Sequence, residues 1–172
     1  METVTAADEQ LMLELLNSTP VIDGQQRDEF DEPGGALTWL TGHGRKGTAE
    51  EAKAIAELRP LLQDVVRGVR GPSALGPFVA EVGYTASAAD DGIAWTLHLP
   101  NGRHAAASAV LAWDELRRSS PGRLRPCANP ECRLFLIDRS KPNTARWCSM
   151  AVCGNRMKAR RHYQKARDAV QQ

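Results

Sequence analysis

No stretch of this 172-residue chain approaches the roughly 20 consecutive apolar residues of a membrane span. The first residues, Met1 to Thr5, carry neither a basic n-region nor an apolar h-region. We therefore expect a cytoplasmic protein without a leader and without a membrane partner. There is no internal repeat and no low-complexity tract, and with 25% charged and 42% hydrophobic residues the composition is that of a soluble globular protein. Catalytic constellations are missing as well. No nucleophile–base–orienter set is present, and no carboxylate pair stands in a convincing context, so we expect no enzyme. Gly42-x-Gly44-x-x-Gly47 has the spacing of a dinucleotide fingerprint, but no strand precedes it and no βαβ unit surrounds it. His98 and His104 flank an Asn101-Gly102 turn and read as incidental, and His43 lies in a glycine-rich loop without partners.

Cysteine is scarce and concentrated. All four, Cys127, Cys132, Cys148 and Cys153, fall in the last third with the spacing C-x4-C-x15-C-x4-C. Two pairs joined by a short stretch are what a tetrahedral zinc ion needs, and a reducing compartment favours metal over disulfides. Four thiolates close the coordination shell, so such a zinc is structural; the other reading is four unpaired thiols. Charge is divided in the same place. Residues 1–120 hold ten Lys/Arg and eighteen Asp/Glu, whereas residues 121–172 hold twelve and three. An acidic body carrying a basic contact module follows, and a polyanion would meet only the module.

Periodicity predicts a mainly helical first domain, residues 1–120. A helix spans 8–17 with Leu11 and Leu15 inward, a loop runs from Ser18 to Gly35, and a short helix covers 36–40. Thr48 caps a further helix running through Ile55, Leu58, Leu62 and Val65, with a kink or break expected near Arg59 because Pro60 follows. Residues 78–84 and 93–99 predict a β-hairpin, turned at Asp90-Asp91-Gly92 and packed on the helices, with Trp95 and Trp113 in the core. A helix over 105–118 ends at Ser119-Ser120-Pro121-Gly122, the expected boundary.

In residues 121–172 we expect a treble-clef-like finger. Cys127 and Cys132 flank a knuckle, and a strand over 133–137 returns against Arg146-Trp147. Cys148 closes that hairpin, Ser149 caps, and Cys153 lies in the first helical turn. The helix carries Arg156, Lys158, Arg160, Arg161, Lys165 and Arg167, with Arg156, Arg160, Tyr163 and Arg167 on one face. That face suits phosphate contacts; the plainer reading is a solvated basic helix.

The string from Arg146 to Arg156, containing Cys153-Gly154-Asn155-Arg156, resembles the CGNR zinc-finger proteins, a family of bacterial stress-induced transcription regulators. Arg123-Leu124-Arg125-Pro126-Cys127, Cys132, Phe135, Asp138 and Ser140 extend the likeness over about 40 residues. Leu13 to Thr19 and Ala36 to Leu40 are similar to that family's N-terminal ABATE domain. The resemblance implies zinc on the four cysteines, DNA contact from the module after them, and a regulatory, ligand-sensing N-terminal domain.

The expectation is thus an α+β protein: a helical domain with a hairpin, then a finger holding one structural Zn²⁺ and ending in a basic helix. Double-stranded DNA is the expected partner, through Arg146, Asn155, Arg156, Lys158, Arg160, Arg161 and Lys165. Asn17, Thr19, Arg27 and Trp39 are candidates for a small-molecule pocket, and a homodimer is expected because one short helix makes few contacts. The competing functions are a zinc-stabilised protein-interaction module and an RNA-binding protein in which Tyr163 or Trp147 stacks on unpaired bases.

Overall fold

The computed structural model describes residues 4–170, so part of the Met1–Thr5 segment considered above lies outside the described residues. The chain runs α1 (Ala6–Asn17), β1 (Val21–Ile22), β2 (Gln25–Gln26), α2 (Gly35–Gly42), α3 (Ala49–Val66), a 3₁₀ turn (Pro72–Leu75) and α4 (Gly76–Val79). It continues through β3 (Gly83–Ala89), β4 (Gly92–His98), α5 (His104–Ser119), β5 (Leu124–Pro126), β6 (Phe135–Ile137), a wide turn (Met150–Gly154) and α6 (Asn155–Val170). Among the described residues, three separate two-stranded antiparallel sheets accompany the helices, which is the expected α+β class.

The core forms where α1, α3 and α5 meet. Leu11, Met12, Leu15 and Leu16 of α1 are buried against Ile55, Leu58 and Leu62 of α3 and Ala105, Ala106, Ala109 and Trp113 of α5. The three buried alanines at the start of α5 allow close approach, and Glu51 exploits it. Its buried carboxylate reaches from α3 to accept the His104 and Ala105 backbone N–H groups, at 2.7 and 3.1 Å. It caps the first turn of α5, where Arg103 provides no side-chain cap. Thr48 caps α3 itself, accepting from the Glu51 N–H at 3.2 Å. Two turns further along α3, Arg59 grips Asp28 with two 2.6 Å bonds and lies over the Phe30 ring at 4.0 Å.

Three expectations are corrected here. Helix α3 runs as one element through Pro60, so the break expected near Arg59 does not occur; the buried Ile55, Leu58, Leu62 and Val65 pack on either side of the missing N–H. Residues 78–82 are not strand. Phe78 is buried in the short α4, and the first hairpin strand begins at Gly83. The β3–β4 hairpin does not lie on the helices, and Trp95, expected in the core, is 46% exposed. Alternation shows that a strand has an apolar face but not what covers it.

Packing crosses the turn at Ser120–Gly122. Phe135 of β6 is buried in the same cluster as the helices. Asn17 at the end of α1 clamps it, accepting from the Phe135 N–H at 2.7 Å and donating to its carbonyl at 3.3 Å. Arg67 adds a bond to the Arg133 carbonyl and a stack over the Phe135 ring.

Candidate metal centre and basic helix

β5 and β6 pair with Leu124 opposite Ile137, Arg125 opposite Leu136 and Pro126 opposite Phe135. The first cysteine pair is therefore the tip of this hairpin, which corrects the expected pairing of 133–137 with Arg146-Trp147. The 146–147 segment instead closes on the knuckle, the Ala128 N–H donating to the Arg146 carbonyl at 2.8 Å. A knuckle turn satisfies its own donors first. The Cys132 N–H meets the Asn129 carbonyl, and the Glu131 N–H meets the Asn129 side chain.

The loop from 138 to 147 has no regular structure and is organised by one carboxylate. Asp138 is buried and accepts from the Ser140 N–H at 2.8 Å, the Ala145 N–H at 2.7 Å and Arg125 at 3.0 Å. The neighbouring Ser140 hydroxyl, these N–H groups and the Arg125 charge hold its carboxyl below the ordinary carboxylate range. Arg123 donates to the carbonyls of Asp138 and Ser140, both at 2.7 Å. This loop delivers Cys148, and the wide turn capped by Ser149 delivers Cys153.

All four sulfurs lie within 4.8 Å of one another. Cys132 and Cys148 are 3.7 Å apart, as are Cys148 and Cys153. A tetrahedral zinc with Zn–S bonds of about 2.3 Å sets its sulfurs about 3.8 Å apart. A disulfide needs about 2.05 Å, so the spacing fits the metal and not a bridge. Two of the sulfurs accept hydrogen bonds: the Cys148 N–H points at the Cys127 sulfur and the Asn129 amide at the Cys153 sulfur, each at 3.4 Å. Burial pushes the Cys132 thiol up to about 11. Burial and then the neighbouring thiols raise Cys148 further. Burial opposes ionisation of Cys153 too, but the Asn129 bond and the other sulfurs outweigh it and hold that thiol low. Four negative charges cannot gather here unaided; a divalent cation supplies the compensation. The donor set is that of one structural zinc ion, with no position left for water.

Residues 123–166 match the family model of the CGNR zinc finger. No curated protein matches the chain. The CGNR finger thus covers the β5–β6 hairpin, the four cysteines and most of α6. Its signature glycine has a packing reason: a Cβ on Gly154 would come within 2.8 Å of the Met150 side chain and 3.2 Å of the Trp147 ring. Asn129, buried and bonded to a ligand sulfur, was not found from the sequence. Its only signal was its place in the knuckle insert.

Among the nominated DNA contacts, Arg146, Asn155, Arg156, Lys158, Arg160, Arg161 and Lys165 are all exposed. Arg146, Arg160 and Arg161 come together around a groove of about 430 Å³ that also takes in Trp147, Met157 and Gln164. Arg146 lies over the Trp147 ring, and Arg160 is paired with Glu131 of the knuckle. Asn155 turns its amide back to the Ala151 carbonyl at 3.3 Å. Three of the four pocket candidates are engaged elsewhere. Asn17 clamps Phe135, Thr19 accepts from Gln63 at 3.0 Å, and Arg27 is exposed. Trp39 is buried against Phe30 and His43. A cleft of about 590 Å³ lies instead between the α2–α3 and β4–α5 loops, with Arg45, Lys46, Glu50, Asn101, His104 and Ser108 on its walls. Among the described residues, no helix is long and apolar enough to cross a membrane.

Proposed function

We propose that the chain is a cytoplasmic, non-catalytic DNA-binding transcription regulator in which the CGNR finger presents α6 to duplex DNA. One observation carries this reading. Seven of the ten Lys/Arg before residue 121 sit in ion pairs. Of the six on α6 between 156 and 167, Arg160 alone does among the described residues. Free cations on an exposed helix are what a phosphate backbone recruits, and the acidic body would keep the rest of the chain away from it. In this reading the zinc only holds the finger, and the helical part is an ABATE-like sensor whose signal enters through the cleft beside Ser108. The test is duplex-DNA binding by the zinc-loaded protein with and without chelator. Binding lost on zinc removal supports the proposal; no binding at low salt by a zinc-loaded, folded chain refutes it.

A second reading rests on Tyr163, 70% exposed beside His162, which offers a stacking face for unpaired bases of RNA. Tighter binding of single-stranded RNA than of duplex DNA at matched salt would select it.

A further inference from the structure

The cleft beside Ser108 stands where two helices begin. Thr48, Glu50 and Glu51 at the start of α3 line it, with His104 and Ala105 at the start of α5. Helices of 18 and 16 residues thus turn their positive ends towards one hollow. Both carboxylates on its walls are already engaged. Glu51 accepts the His104 and Ala105 N–H groups, and Glu50 is held by the Thr48 hydroxyl and its own N–H. Arg45 is matched by Asp8 at 2.9 Å. What the walls leave unspent is mainly donor capacity. Among the described residues, the side chains of Lys46, Asn101 and His104 at the rim make no hydrogen bond or ion pair.

Ser108 is the decisive group, because it is buried and unsatisfied. It is only 7% exposed, yet its hydroxyl has no hydrogen-bond partner among the described residues. A buried hydroxyl left unpaired costs free energy, which a ligand in the cleft relieves. Ser108 also lines a second cleft of about 520 Å³, which adjoins the first along Gly44, Arg45 and Leu99. That neighbour adds apolar walls from Val4, Ala7, Leu97 and Leu111. Donors thus gather on one side, apolar surface on the other, and the Ser108 hydroxyl belongs to both.

We propose that the joined clefts bind a small monocarboxylic acid with an apolar body. Ser108 and Lys46 receive the carboxylate, and the body lies against Leu97, Leu99 and Leu111. Each cleft is of the size that small-molecule sites have, and a few convergent polar groups beside apolar walls are their usual make-up. A cationic ligand would meet two carboxylates that already hold their donors. A bare anion such as phosphate would leave the apolar walls in water. The inference rests on the reading of the helical part as a sensor and names what that sensor receives.

Isothermal titration calorimetry of the zinc-loaded full chain, without nucleic acid, tests it with phenylacetate and hexanoate. Acetate and inorganic phosphate supply the head alone, and the two matching amides supply the body without the charge. Saturable binding of at least one acid is expected, at least tenfold tighter than its amide, acetate or phosphate. Ser108→Ala should weaken it about tenfold, and Lys46→Gln severalfold. Lys53→Gln, exposed and outside the cleft, should leave it unchanged. Thermal midpoint and zinc content check that each variant is folded. The proposal is overturned if neither acid saturates the chain up to about 10 mM. An amide or bare anion that binds as well as the acid overturns it too, as does affinity that survives both Ser108→Ala and Lys46→Gln. Adding the acid to the duplex-binding assay separates the two claims. Acid binding that leaves DNA affinity unchanged would sink the sensor reading while supporting the site.

Discussion

Salt sensitivity gives the sharpest quantitative handle on the basic helix. Between Arg156 and Arg167, α6 carries six Lys/Arg, one of which is tied to Glu131. Arg146 adds one more beside the groove. The cations lie on more than one side of the helix, so four or five reaching phosphates is a sensible count. Each neutralised phosphate contributes about −0.9 to the slope of log affinity on log salt, which sums to a slope of about −4. Raising monovalent salt fourfold, from about 50 to about 200 mM, should then weaken binding about 250-fold. Arg156→Gln with Arg161→Gln removes two contacts, reduces the slope to about −2, and leaves only an about 20-fold loss over the same range. Both side chains are exposed and outside the ion pairs of the fold, so the variant should retain zinc and stability. Fluorescence anisotropy with labelled duplex, each sample assayed for zinc, measures both slopes. A slope near zero, or one that the double variant leaves unchanged, refutes phosphate contact by α6.

Three further perturbations probe the scaffold. Glu51→Ala leaves two N–H groups at the start of α5 without their acceptor, that of Ala105 buried, and should cost about 1–3 kcal/mol, lowering the melting midpoint by roughly 3–10 °C; an unchanged midpoint would show the cap to be idle. Burial opposes ionisation of Asp28, yet the two Arg59 bonds outweigh it and hold its carboxyl below the ordinary range. The Asp28 contribution is therefore complete above the unfolded carboxylate pKa and lost as pH falls through the lower folded value. Asp28→Asn should be less stable than wild type in urea at neutral pH, with the gap closing in acid; a gap that persists there would count against this ion pair. Asn129→Ala removes the N–H at the Cys153 sulfur and should weaken zinc binding about 10–100-fold, read by competition with a chromophoric chelator. Equal affinity would make Asn129 a knuckle residue only.

What could be read from the chain follows the range of the interactions involved. Thr48 caps and the α5 boundaries were visible because capping and helical period are local. The four cysteines were visible because ligand spacing constrains a short segment. The misreadings at Pro60, Phe78 and Trp95 share a cause: each depends on what packs on the residue from far along the chain. Pro60 is held by a buried face, Phe78 is drawn into the core, and Trp95 is left outside it. The β5–β6 pairing was missed for the same reason. Strand 135–137 was expected against Arg146-Trp147, but it pairs with 124–126, and Asn17, 118 residues away, clamps Phe135.

The four letters of the finger's signature divide by task. Cys153 sits in the sulfur cluster. Gly154 is small because Trp147 and Met150 lie against it. Asn155 spends its amide on the Ala151 carbonyl. Upstream, Arg123, Arg125 and Asp138 tie the loop that delivers Cys148. Only Arg156 is exposed and makes no hydrogen bond or ion pair, sensing Glu131 at a distance. The motif therefore reports how the finger is built far more than what it touches. In the DNA-binding reading, discrimination between targets falls to the positions beyond it, Arg161, Lys165 and Arg167, where the helix leaves the finger and, among the described residues, the side chains make no hydrogen bond or ion pair.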